Sequence, residues 1–495
     1  MSLPTACGAR VPGWSSSGTS PAATRWGRRC GPPSPSWRDR PVAVLNVLRD
    51  ILGTPAILVG LLALVGLLAL RSSAPDVVSG TLKTIIGFLI LGGGATILIG
   101  ALEPLGEMIS EGLGLQGVIP TNEAVVGLAQ AEFGAQTAGI MGLAFLVNLL
   151  LARITRLKYV FLTGHHVFFM SALVAVVLSS AGVGGVNLLL AGALIVGSVM
   201  VLMPAAAMPF MRRITGGEDI ALGHFGTLGY VTSGLVGRAL GNAARSTEEI
   251  TVPRSLSFLR DNLVSTALAM IVVYLVFALI AGPAFVSELA GDLNPFVFAL
   301  VQALTFAAGV WVILVGVRMI LGEIVPAFEG ISRKVIPDAV PALDIPITFP
   351  YAPTAVIVGF AASVTAGLVA LPFLGPLGLA LIIPGMVPHF FVGGGAGVFG
   401  NATGGRRGAA LGAFANGLII TFLPALLLGY LGTLGLANTT FGDSDFAWVG
   451  IVLGFVAEAG GPVGAWALAL VFVALTFVLG YVFPQLRPRD ESRRD

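Results

Sequence analysis

The sequence predicts an all-α polytopic membrane protein, and three observations carry that reading. Of the 495 residues, 56% are hydrophobic and only 11% are charged, against about 25% charged in soluble domains. The mean hydropathy is +0.93. The apolar residues fall in runs of about 20, long enough for a helix to cross a bilayer, and show none of the short alternating segments of a membrane barrel. Only helices and closed barrels satisfy the backbone in lipid. The 67 glycines and 30 prolines fit interrupted helices, which membrane transporters use most. The formal net charge of +2 says nothing about nucleic acid; the basic residues sit at span ends instead of forming a patch, and no nucleic-acid partner is expected.

The elements follow in order. Met1–Pro41 is rich in Pro, Ser, Gly and Arg, lacks apolar periodicity and lacks the apolar region of a signal peptide; it is expected to be a disordered extension, with the true start near Val42 or Val44. Residues 42–490 form one membrane-embedded body and 491–495 a cytoplasmic tail. A first span covers Pro55–Leu70. The second, Leu82–Leu102, breaks into an acidic segment holding Glu103, Glu107 and Glu111. An apolar piece at Glu123–Glu132 precedes a third span at Ala135–Ala152. Further spans are expected at Tyr159–Ser180, Val186–Met211, Asn262–Ala281, Pro295–Val317, Ala355–Leu371, Pro376–Val392, Leu411–Leu434 and Ala465–Val482. Between Ile214 and Arg260 lies a Gly-rich piece too polar to span and too apolar for a plain loop; it reads as re-entrant. Arg71, Arg153–Lys158, Arg212–Arg213, Arg238–Arg260 and the tail fall on one side if the amino end is outside and the carboxyl end cytoplasmic. That arrangement needs an odd number of crossings, so about eleven are expected.

One stretch stands apart. Arg318–Asp344 carries charges, prolines and a glycine between apolar runs, and it echoes an earlier segment. Leu105-Gly106-Glu107 with Val118-Ile119-Pro120 returns as Leu321-Gly322-Glu323 with Val335-Ile336-Pro337. Paired interruptions at matching places in two halves of a hydrophobic chain point to an internal repeat and to a transporter's binding site. Buried polar residues are costly in a membrane and mark function. All four histidines, His165, His166, His224 and His389, lie in apolar surroundings, and glycine precedes His165 and His224, allowing close approach of backbone to a ligand. Asp344, just beyond Pro341, adds a carboxylate able to accept hydrogen bonds from hydroxyls.

Catalytic motifs are missing: the sequence has no HExxH, GxSxG, Walker A or CxxC, and its two cysteines, Cys7 and Cys30, lie in Met1–Pro41. The body therefore offers no cysteine nucleophile, and no cofactor or metal is implied. Gly92–Gly100 and Val392–Asn401 are glycine-rich but follow no predicted strand, which suits helix packing better than phosphate binding.

The residues resemble the ascorbate-specific permease (IIC) component of the bacterial phosphoenolpyruvate-dependent sugar phosphotransferase system. The matching strings are Lys83–Phe88 (KTIIGF), Leu162–His165 (LTGH), Asp261–Ala267, Gly316–Met319 (GVRM), the run ending at Asp344, Ala352–Phe360 and Ile382–Asn401, in family order from about Leu45 to Phe483. The resemblance implies eleven helices in two inverted halves, with a moving core domain beside a V-shaped dimerising domain. It also implies substrate import by an elevator-like motion, and phosphorylation by a cysteine of a separate IIB protein fed by IIA. It places substrate contacts at Asn122, Glu123, His165, Phe169, His224, Phe225 and Asp344. Phe169 and Phe225 stand where the family has glutamines, which implies a drier pocket. A relay-independent, proton-coupled transporter of a small polar solute on the same scaffold is the alternative. The arginines Arg238, Arg245, Arg254, Arg260, Arg406 and Arg407 suit either an acidic IIB partner or ordinary positive-inside topology.

Overall fold

The computed structural model describes residues 55–217, 220–249, 262–336, 339–436 and 438–488. The expected extension 1–41, the tail 491–495, both cysteines, Arg254 and Arg260 lie outside them. The described chain is mostly helical. Its helices are α1 (Pro55–Ala69), α2 (Ala74–Leu113), α3 (Asn122–Ile154), α4 (Gly164–Ser180), α5 (Gly185–Ile214), α6 (Thr227–Leu240), α7 (Asn262–Ala281), α8 (Pro283–Ala290), α9 (Pro295–Val335), α10 (Pro353–Leu374), α11 (Gly394–Leu427) and α12 (Ser444–Val482). Six short strands interrupt them: β1 (Gly117–Pro120), β2 (Tyr159–Phe161), β3 (Ala221–Leu222), β4 (Val340–Leu343), β5 (Leu381–Ile382) and β6 (Thr439–Thr440).

Among the described residues, seven helices are long and apolar enough to cross a membrane, or eight if the bent pair Thr266–Ala281 and Pro283–Ala290 forms one span. On their outer faces Leu89, Val272, Phe455 and Val463 are exposed, as lipid contact requires rather than a water-facing surface.

Several boundaries differ from the sequence reading, each for a local reason. α2 runs unbroken through the acidic segment, because Glu103, Glu107 and Glu111 share one exposed stripe while Leu105, Met108 and Ile109 are buried opposite. Ser73 caps it at one end and Gly114, in the left-handed conformation, stops it at the other. The apolar piece at Glu123–Glu132 and the span after it are one helix, α3. α9 likewise carries Leu321-Gly322-Glu323 inside a continuous helix. Glu323 there pairs with Lys83 of α2 at 3.2 Å, so this glutamate ties two helices together. The span expected at Pro376–Val392 is instead a 3-10 turn, β5, a three-residue turn at Met386–Pro388 and a π-helical turn at His389–Gly393; Pro376, Gly378, Pro384, Gly385 and Pro388 break any longer helix. α11 is two pieces joined at Gly405 (φ 57°, ψ −151°). A side-chain carbon on Gly400 would strike the carbonyl of Gly408, so the chain doubles back there. α12 breaks in the same manner at Gly461 (φ 54°, ψ −138°).

The strands explain how the segments meet. One sheet has the order β5-β1-β6 and the other β2-β4-β3, and every pairing is parallel. In the first, Val118 pairs with Ile382 and Pro120 with Thr440. In the second, Phe161 and Ala221 both pair with Ala342. The central strand of each sheet thus comes from one half of the chain and its two flanking strands from the other. Because pairing is parallel, the residues that follow the three strands of a sheet all leave from the same edge.

Candidate functional site

Polar residues follow the strands closely. Asn122 and Glu123 come just after β1, His165 and His166 after β2, His224 after β3, Asp344 after β4, and Asp443 and Asp445 after β6. The parallel register collects most of them in one cluster. His165 Nε2 lies 3.5 Å from Asp344 Oδ2, and His224 Nε2 lies 3.8 Å from Asp344 Oδ1. His224 Nε2 is also 3.9 Å from Asp443 Oδ2, and His166 Nε2 is 4.0 Å from that same oxygen. These last two contacts join the edges of the two sheets.

The cluster has an open end and a closed end. The side chains of His165 and Asp344 are 29% and 34% exposed, whereas His166, His224 and Asp443 are almost fully buried. Asp344 accepts the backbone N–H of Ile345 at 2.7 Å, which fixes it at the start of a 3-10 turn. The Tyr230 hydroxyl meets His224 Nδ1 at 3.0 Å, and the Tyr230 ring stacks on Phe399 at 5.2 Å, so His224 is held from behind with Nε2 facing the carboxylates. The Phe225 N–H donates to His166 Nδ1 at 3.3 Å. That bond makes Nδ1 the acceptor, so a neutral His166 carries its hydrogen on Nε2, towards Asp443.

Asn122 acts through its neighbour: its Oδ1 accepts the Gly442 N–H at 2.8 Å, locking the turn that carries Asp443. Glu123 is buried, and among the described residues its Oε2 has no hydrogen-bond partner. Phe169 meets His165 edge-on at 5.8 Å and borders the cluster. The Phe225 ring stacks on Phe161 at 4.7 Å, is set against Phe446 at 5.6 Å and meets the His166 ring edge-on at 5.8 Å, while its backbone N–H holds His166 Nδ1. His389 stands apart, with Nδ1 2.7 Å from the Ser363 hydroxyl on α10.

Sequence reasoning missed Asp443, Asp445 and Tyr230 and did not separate His166 from its neighbour. A signal was present for Asp443: Gly442 precedes it in an apolar setting, as Gly164 precedes His165 and Gly223 precedes His224. Asp445 has a structural task. Its carboxylate accepts the N–H groups of Thr227 at 2.8 Å and Leu228 at 2.9 Å, the first of α6, and the Trp448 indole N–H at 3.0 Å.

Among the described residues two trios could offer three ligand atoms each to a metal ion, His165–His166–Asp344 and His166–His224–Asp443. Both include His166, whose Nδ1 is taken by the Phe225 N–H and whose Nε2 bears hydrogen in the tautomer that this bond imposes. The donor set therefore suits hydrogen bonding to hydroxyls better than metal coordination.

A multi-pass helical membrane protein whose buried polar cluster is assembled from interrupted helices belongs to the transporter class. The chain is a member of the family described as the PTS system sugar-specific permease component, whose profile matches residues 50–445. It is 26% identical over 419 residues to the ascorbate-specific PTS system EIIC component of Mycoplasma pneumoniae, a match that covers 74% of this chain. The chain spans 63% of that relative's length.

Proposed function

We propose that this chain is the IIC permease subunit of a phosphotransferase-system transporter that imports L-ascorbate or a related sugar acid. The observation that carries the reading is the cluster itself. His165, His224 and Asp344 follow three different strands and converge within 3.5–3.8 Å, offering a hydroxylated ligand one carboxylate acceptor and two imidazoles that donate or accept. The name of the Mycoplasma relative supports the substrate class, and Glu123, Phe169 and the backbone of Phe225 complete the proposed surroundings, with Asn122 bracing them.

In this reading the interleaved sheets reflect two inverted repeats of about eleven crossings in all. The core formed around the sheets moves against a V-shaped dimerising part to which α1 belongs, in a closed twofold homodimer. The amino end is outside and the carboxyl end cytoplasmic. Substrate carried inward is phosphorylated by a separate IIB protein, supplied by IIA, which docks on the face bearing Arg238, Arg245, Arg406 and Arg407. A binding screen on purified protein tests the substrate: ascorbate should bind more tightly than neutral sugars, and preference for a neutral sugar would overturn the sugar-acid assignment.

One observation favours a second reading. The buried, unpartnered Glu123 Oε2 could carry a coupling proton in a relay-independent transporter on the same scaffold. Uptake that survives loss of IIB but fails in Glu123→Gln would establish that alternative.

A further inference from the structure

Asp443 closes the inner end of the cluster, yet its oxygen stops short of both imidazoles that face it. The gaps are 3.9 Å to His224 Nε2 and 4.0 Å to His166 Nε2, and Asp344 leaves a similar gap of 3.8 Å on the other side of His224. None of the three is a hydrogen bond. Their common width has a chemical meaning. A hydroxyl oxygen about 2.8 Å from each of two atoms roughly 4 Å apart closes a triangle without moving either. A tetrahedral metal with bonds of about 2.0–2.2 Å would need its ligand atoms drawn in to about 3.4 Å, and His166 Nε2 already carries hydrogen.

The carboxylate is also held for the purpose. Asn122 Oδ1 accepts the Gly442 N–H at 2.8 Å and so fixes the residue that precedes Asp443. Asp443 thus projects from a braced turn, opposite the half-exposed entrance formed by His165 and Asp344.

We propose that Asp443 is a second substrate carboxylate, which accepts a hydroxyl of the ligand's far end through a bridge shared with His224, and that it sets specificity for a ligand hydroxylated at both ends. The proposal deepens the transport reading above and rests on it for the location of the site.

The test is calorimetric titration of the purified full chain, wild type and Asp443→Asn, with L-ascorbate and with analogues each lacking one side-chain hydroxyl. The substitution keeps the size of the side chain and removes its charge; Asp443→Ser serves if that variant does not purify. The expected result is a roughly ten- to hundredfold loss for ascorbate. One deoxy analogue, already lacking the bridging hydroxyl, should lose less than about twofold. Equal loss for every ligand, with a lowered unfolding temperature, would make Asp443 a structural residue and overturn the proposal. So would unchanged affinity throughout, or one-site zinc binding that His224→Gln abolishes. If ascorbate does not bind but another sugar or sugar acid does, the ascorbate assignment fails, and the same comparison runs on that compound and its deoxy forms. A panel without any binder overturns both.

Discussion

Replacing Asp344 with asparagine removes one negative charge and leaves the fold's own demand on the residue intact. The structure makes that separation possible. Asp344 spends one oxygen, Oδ1, on the Ile345 N–H at 2.7 Å, and the carbonyl of asparagine can take over that bond. Oδ2 faces His165 at 3.5 Å in the half-exposed mouth of the cluster, where a ligand hydroxyl would lie. A hydrogen bond to a charged group contributes about 1.5–3 kcal/mol, and the neutral amide would present an N–H₂ donor where an acceptor is needed. The expected loss of affinity is roughly ten- to hundredfold, with the unfolding temperature close to wild type. Calorimetric titration of ascorbate into purified protein reads both the affinity and the stoichiometry. Wild-type affinity in Asp344→Asn would refute the reasoning, because it would place the ligand elsewhere and leave the histidine–aspartate cluster a structural feature.

Other residues give equally direct outcomes. Phe169→Gln places an amide beside His165 and should raise ascorbate affinity; if the native ligand is less polar, its affinity should fall in the same titration. Asp445→Ala strips the acceptor from two leading N–H groups of α6 and from the Trp448 indole, and should cost about 2–5 kcal/mol of stability, seen as a fall of several degrees in thermal unfolding. Gly405→Ala forces a side chain into a backbone conformation that glycine alone adopts readily, against the carbonyls of Arg245 and Asn242; monodisperse protein should be largely lost in size-exclusion chromatography, and normal yield would contradict the strain argument.

The comparison of sequence with structure turns on range. Helix-forming runs were legible because lipid demands long apolar stretches, and α5 and α7 fall within a few residues of their expected bounds. Glycine-preceded polar residues in apolar settings led to His165 and His224. The strands were hidden: β3, β5 and β6 have two residues each, and Ile119 pairs with Thr439 far along the chain, so no local period betrays them. Missing the strands hid their consequence, which is that Asp443 is delivered to the same place as His224. The charged stretch Arg318–Asp344 looked like one functional unit but divides in two: Glu323 binds Lys83 at a helix crossing, and Asp344 alone joins the cluster. Phe225 was singled out by position, and the structure sets its ring between Phe161, on which it stacks, and His166, which it meets edge-on.

The central claim is that the cluster serves phosphorylation-linked import. Labelled ascorbate supplied to membrane vesicles that contain this chain, with IIA, IIB and phosphoenolpyruvate inside, tests it most directly. The account predicts accumulation of the label as a phosphate ester, dependent on IIB and largely lost in Asp344→Asn. Accumulation of unmodified ascorbate without IIB, driven by a proton gradient alone, would contradict it.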